Sequence, residues 1–487
     1  MFDFRLFGTL AVVAMLVGGG VLGLLIAATS TPNPARIAEV TKPGTVMIET
    51  MYEGTLTVPG LSLSDKGKQF AKVLASSEEP ALATYHLFQG IAKSPMDLLV
   101  PVGGEPQSIK GGMMGSGFLV TPDGYMVTNA HVVKAEEPLK QNAAVRAAIN
   151  TTQGVNASFK RDFGMDLPED LLNELARALY NFYQQNVRVV FSDFRIYSAM
   201  GEAVPGVAII QKGFPCTQVA CGDIIPGKDV AVLKMEGENL PTLPIGDDSA
   251  LQVGDRIYVI GYPGTATFHP LVEQQQSATI PTLTSGVVSA KRPMAGGWSA
   301  IQTDTAFTHG NSGGPALDSQ GRVIGLATFG TIDPMTQETV AGMNFIVPMS
   351  IVREFLNQSN VQPRESLFTK LYASALDEHG RQHFKQSLRI FNQLNGISPG
   401  NPYVLRYITD AQKAIAEGKD RSWEDTLRHG LIGAGLLLLV GGGVFLVMLR
   451  RRRHAPLQLL PMKNPLRLKH RKTPEEQHGE EPGENAA

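Results

Sequence analysis

Cysteine is scarce, with two in 487 residues, and tryptophan equally so. Two thiols exclude a disulfide-stapled scaffold and any zinc site built from three or four cysteines. Charged side chains make up only 18%, with a formal net charge of −2, which excludes a generally basic nucleic-acid binder. The charge is unevenly spread: residues 450–487 hold nine Lys/Arg against five Asp/Glu, whereas residues 6–449 hold 33 against 39. The 43% hydrophobic content suits a chain with a sizeable core rather than a disordered one.

Charge is missing altogether from two stretches. None lies between Arg5 and Arg36, where residues 10–28 are almost wholly apolar, and none lies in residues 430–449. Arg450, Arg451, Arg452 and Arg453 follow the second stretch directly. A span needs about 20 apolar residues, and a basic cluster at its end marks the cytoplasmic side. The pattern predicts a short cytoplasmic N-terminus (1–5), a first transmembrane helix or signal anchor (6–29), a second span (430–449) and a basic, partly disordered cytoplasmic tail (450–487). The first run exceeds the ~7–15 residues of a signal h-region, which favours an uncleaved anchor over a secretory signal; cleavage would leave the same topology. Residues between the spans then lie outside the cytoplasm, at an inner-membrane type of boundary.

Between residues 115 and 347 short Val/Ile/Leu runs are broken by Gly, Pro and Asp, as in GSGFLV, GYMVTNA, DVAVLKM and GRVIGLATFG. Many short strands with such turn signals predict a mainly β barrel or sandwich. One interruption is helical: in DLPEDLLNELARALYNFYQQ, Leu171, Leu172, Leu175, Leu179, Phe182 and Tyr183 share a face, with Asp166 as the expected cap and Pro168 and Glu169 in the first turn. From residue 350 onward the pattern is helical.

Three segments bear chemistry. THGNSGGPALD places Ser312 in a tight turn among Gly310, Gly313 and Gly314, the setting a serine nucleophile needs. GYMVTNAHVV ends a strand-like run at His131, and GKDVAVLKM opens one at Asp229. An imidazole must accept the serine proton, and a buried carboxylate must fix the imidazole tautomer. The order His, Asp, Ser is one of several that build this triad.

The segments GSGFLVTPDGYMVTNAHVV, DVAVLKM, LPIGDDSALQVGDRIYVIGYPG, TSGVVSA, TDTAFTHGNSGGPALDSQGRVIGLATFG and NFIVPMSIV resemble, in order, the protease domain of the HtrA/Deg family. The resemblance runs over residues 38–356. It implies a chymotrypsin-like double β-barrel, with His131 as base, Asp229 as orienting acid, Ser312 as nucleophile, and the backbone N–H groups of Gly310 and Ser312 as oxyanion hole. It further implies a serine endopeptidase for unfolded or misfolded proteins, acting without cofactor or metal and often as a homo-oligomer. It places the specificity pocket at Ala306, Leu326 and Phe329, with a preference for aliphatic residues; Asp304 stands two positions too early to pair with a substrate cation.

The chain departs from the family at about 57–112, 134–185 and 266–281, which read as helical or irregular insertions. No PDZ domain is recognisable. Instead residues 357–420 read as a small helical segment, in which Ser387, Phe391, Leu394 and Pro399 have the spacing of a tetratricopeptide-like repeat. Residues 365–417 could dock a protein partner, and a protease-like adaptor without catalysis is the alternative function. Cys216 and Cys221, in FPCTQVACGD, are expected to form a local disulfide.

Overall fold

The computed structural model describes residues 33–200, 213–264, 280–306, 308–332 and 339–453. The first apolar stretch and the insertion expected near 266–281 therefore lie outside the described residues, apart from the insertion's last two positions. The chain divides into a compact unit ending at Ser422 and a C-terminal unit.

Helix α1 (Pro34–Thr41) has Asn33 as N-cap, whose side chain accepts the Arg36 N–H, and Pro34 at the position where a missing N–H costs nothing. The first closed barrel is formed by β1 (Thr45–Thr57), β4 (Gln107–Leu119), β5 (Tyr125–Thr128), β6 (Arg188–Ala199), β7 (Phe214–Cys221) and β8 (Ala231–Met235). The second is formed by β9 (Arg256–Gly261), β10 (Thr282–Pro293), β11 (Ser299–Thr303), β12 (Pro315–Leu317), β13 (Val323–Ile332) and β14 (Thr339–Pro348). Val46, Ile48, Leu119, Met126 and Leu233 fill one barrel, and Ile257, Val259, Ile301, Ile324 and Ile346 the other. A third cluster, including Phe118, Val127, Tyr258, Leu317 and Leu326, joins the outer faces of the two barrels. This is the chymotrypsin-like double barrel.

The first insertion is shorter than expected, because β1 and β4 stay paired as far as Leu56 opposite Gln107. Residues 58–106 form a two-stranded sheet of β2 (Gly60–Leu63) and β3 (Leu99–Val102) with α2 (Asp65–Ser77) and α3 (Pro80–Lys93). The second insertion holds α4 (Glu136–Phe163) and α5 (Glu169–Asn186). In α5 the expected face is buried at Leu171, Leu175, Leu179, Phe182 and Tyr183. Asp166 is not its cap: its carboxylate accepts from Asn156 and Lys160, and Pro168 holds the N-cap position. Ile91, Leu98 and Leu99 of the first insertion pack with Ala144, Leu175 and Phe182 of the second, so both loops build one helical layer.

After β14, α6 (Met349–Gln358) packs on the barrels, and α7 (Leu367–Gly380), α8 (Phe384–Ile397) and α9 (Pro402–Ala416) form the helical segment. Its core contains Phe368, Tyr372, Phe391, Leu394, Val404 and Tyr407, and Ser387 is also fully buried. The segment is docked against the rest of its unit. Arg36 of α1 makes two hydrogen bonds to Asp377 at 2.5 and 2.9 Å, Tyr407 donates to Glu39 at 2.8 Å, and Thr369 donates to the Thr242 carbonyl at 2.8 Å.

Helix α10 (Ser422–Arg453), which from Trp423 onward belongs to the C-terminal unit, contains the window Gly433–Arg450, long and apolar enough to cross a membrane. It is the one such helix among the described residues.

Candidate active site

Strand pairing brings His131 and Asp229 together. Thr128 at the end of β5 lies opposite Ala231 at the start of β8, so the turn after one strand meets the residue before the other. Asp229 is fully buried. Its Oδ1 accepts the His131 backbone N–H at 2.9 Å, and its Oδ2 lies 2.7 Å from His131 Nδ1. The Thr328 hydroxyl donates to the same Oδ2 at 2.5 Å. Asn129 Nδ2 donates to the Asp229 carbonyl at 2.7 Å, fixing the backbone as well. Burial alone would raise the Asp229 pKa; the donors from His131 and Thr328 outweigh it and hold the carboxyl below its usual 3.8. An ionised Asp229 keeps the proton on Nδ1, which leaves Nε2 as the acceptor on a one-third exposed ring.

Ser312 lies in the loop between β11 and β12, held from both barrels. The Ser312 carbonyl accepts the Ser116 N–H at 2.7 Å, and Ser116 Oγ donates to the Gly310 carbonyl at 2.7 Å. Tyr262 N–H donates to that same Oγ at 2.9 Å, and Gly313 N–H to the Ala327 carbonyl at 2.8 Å. Gly310 has φ +98° and Gly313 φ +84°, conformations that a side chain would strain. Among the described residues the N–H groups of Gly310 and Ser312 have no acceptor, so both are available as donors.

Ser312 Oγ donates to the Thr328 carbonyl at 3.0 Å and makes no hydrogen bond to His131. Thr328 therefore touches both halves of the constellation, through its carbonyl to Ser312 and through its hydroxyl to Asp229. Thr328 is not among the site residues expected from the sequence; its signal is a hydroxyl residue in the strand that pairs beside the serine loop.

Of the expected pocket residues, Leu326 takes another place. Leu326 is fully buried in the cluster joining the barrels, opposite Val347, because alternation along β13 turns it away from the serine loop. Ala306 is exposed, and the Phe329 side chain lies outside the described residues. Asp304 Oδ1 accepts the Val287 N–H at 2.7 Å and so serves the loop backbone.

The disulfide expected between Cys216 and Cys221 is absent: both thiols are free. They stand on the single strand β7, opposite Met235 and Ala231 respectively. Five steps along a strand separate Cα atoms by roughly 16 Å, against the ~5.5 Å a bridge needs. Burial raises both thiol pKa values, that of Cys221 to about 11, so neither is a ready nucleophile.

Residues 115–326 match the family described as a trypsin-like peptidase domain. A probable periplasmic serine endoprotease DegP-like from Pseudomonas putida is 34% identical over 27% of this chain and 25% of its own length. One from Chlamydia pneumoniae is 30% identical over 46% of this chain and 30% of its own. The serine endoprotease DegS of Haemophilus influenzae is 30% identical over 31% of this chain and 42% of its own. The chain thus spans between a quarter and two-fifths of the length of these relatives. In sequence over these residues, and in its paired six-stranded barrels, the chain is similar to the trypsin-like peptidase domain of serine endoproteases of the DegP and DegS type.

Proposed function

We propose that the protein is a membrane-anchored serine endopeptidase that cleaves unfolded or damaged proteins outside the cytoplasm. The observation that carries the reading is the buried Asp229 holding His131 by two hydrogen bonds, on a loop framework that leaves the Gly310 and Ser312 N–H groups unpaired. Ser312 Oγ attacks the peptide carbonyl while His131 Nε2 takes its proton. The oxyanion is met by the two N–H groups, and Asp229 stabilises the imidazolium. His131 then protonates the leaving amine, the acyl-enzyme forms, and water activated by His131 releases the acid and restores Ser312. The Ser312–Thr328 hydrogen bond describes the resting serine, which turns from it to His131 Nε2 with substrate in place.

The apolar window of α10, followed by its arginines, supports a span with an inside tail. Together with the apolar stretch at 6–29 it makes a two-pass topology, with the barrels on the side named in the periplasmic relatives. The helical segment serves as a tetratricopeptide-like module for a protein partner, and the barrels self-associate.

A fluorophosphonate probe and a fluorogenic peptide with an aliphatic residue before the scissile bond test the reading together. Full-length protein should label and hydrolyse; Ser312→Ala and His131→Ala should each lose hydrolysis while melting as wild type. The double variant should be little worse than either single one, since triad members act as a unit. A folded protein that never labels would mark the domain as a binding adaptor.

A further inference from the structure

A cavity of about 630 Å³ opens where the turn after His131 meets the loop before Asp229, lined in part by Lys134, Glu137, Gln184, Phe191, Phe194 and Asp223. A second, of about 580 Å³, shares Glu137 and Gln184 with it and continues towards Met96. The two share a wall and make one groove, which starts at Val133 and Lys134, two and three residues after His131, and runs over the helical layer. Most of its charge is already matched. Lys134 pairs with Asp223 at 3.1 Å, and Glu136 at the rim pairs with Lys140 at 2.6 Å. Glu137, where the two cavities join, is half-buried, and its carboxylate has no partner among the described residues.

We propose that this groove is a substrate subsite for a Lys or Arg side chain flanking the scissile bond, with its methylenes against Phe191 and Phe194 and its cation on Glu137. The inference rests on the peptidase reading above and adds to it a substrate class. Long cationic side chains cover apolar and aromatic walls with their stems while the head stays at a polar end. An acidic side chain would meet Glu137 as a like charge, and a wholly apolar one would bury that carboxylate without a donor. The cleaved residue itself stays aliphatic; the cation is read at a distance from Ser312, between an aromatic wall from β6 and a carboxylate from the second insertion. Because α4 brings Glu137, the charge preference belongs to the insertion, while β6 of the first barrel brings the aromatic wall.

The test uses full-length protein in detergent micelles and fluorescein-labelled decapeptides with one central Val. A single Arg, Ala or Glu is placed in turn at each flanking position. Binding is read by anisotropy on Ser312→Ala, and hydrolysis on protein with Ser312 intact. At one position Arg should bind and be cleaved about tenfold better than Ala, the effect of one well-placed charge-assisted contact, with Glu worse than Ala. Glu137→Gln should bring the Arg-to-Ala ratio close to one, and Glu137→Lys should invert it. A purely structural role for Glu137 would lower all peptides together and leave the ratio unchanged. Equal binding of the three peptides at every position, or a ratio that survives Glu137→Lys, overturns the subsite. An Arg preference in binding that Glu137→Lys abolishes supports it whatever hydrolysis gives. Absent hydrolysis with absent probe labelling overturns the peptidase reading alone.

Discussion

Replacing Gly310 by alanine puts the serine loop under a load that can be worked out beforehand. The new Cβ would stand 2.3 Å from the Tyr262 carbonyl oxygen and 2.6 Å from the Gly264 amide nitrogen. Both are backbone atoms, so no change of rotamer relieves the overlap. The φ of +98° adds strain of about 1–3 kcal/mol for any residue with a side chain. Ordinary contact begins at 3.4 Å, so the peptide must move by about 1 Å or turn over. Oxyanion donors work at about 2.7–3.1 Å from the charge, and losing one costs roughly 100- to 1000-fold in kcat. The rest of the loop keeps its clamps at Ser116, Ala327 and Thr328, so the domain should still fold. The expected result is a protein that melts within several degrees of wild type, with kcat reduced at least 100-fold and fluorophosphonate labelling slowed in parallel. A folded Gly310→Ala protein that keeps more than about a tenth of wild-type kcat would refute the assignment of this N–H to the oxyanion.

Two further substitutions address buried carboxylates. Thr328→Val removes a donor from Asp229, which should cost about 1–3 kcal/mol and raise the Asp229 pKa in the folded state. Asp229 sits below its usual value, so its contribution is present above the unfolded pKa and lost as pH falls through the folded one; in the variant that loss should be smaller and complete at a higher pH in urea midpoints, and superimposable acid limbs would contradict the role of the hydroxyl. Glu49 has a buried Oε2 without a partner among the described residues, and burial holds its pKa above 4.5. The folded state binds that proton more tightly than the unfolded one, so stability is lost as pH rises through the carboxylate range. Glu49→Gln should therefore melt higher than wild type at pH 7, with the advantage shrinking as the pH falls below the raised value; an advantage that grows on acidification would reverse the argument.

The double barrel was legible because its strands are short, apolar and punctuated by Gly and Asp, and because His131, Asp229 and Ser312 each sit in a distinctive local setting. Helix α5 was legible from its large apolar face, which packs as the periodicity required. Its neighbour α4 was not, since its buried face consists mainly of Ala144, Ala148 and Thr152, small residues that carry little hydropathy signal. The cysteine pair misled because nearness along a chain brings residues together in a turn but separates them in a strand. Leu326 misled for a related reason: counting positions from Ser312 cannot say which face of β13 a side chain takes, and the core takes this one. Thr328 and its two contacts depend on strands that meet only in three dimensions.

The helical layer beside the barrels carries a lesson about inheritance and engineering. Ile91, Leu98 and Leu99 come from one loop, and Ala144, Leu175 and Phe182 from another that begins beyond His131, yet they share a single interior. Trimming either loop alone would leave the other with an uncovered oily surface and an incentive to aggregate. The two lengths of chain are therefore bound to be gained, lost or transplanted as a pair, even though the genetic text separates them by a full strand hairpin and the proposed general base.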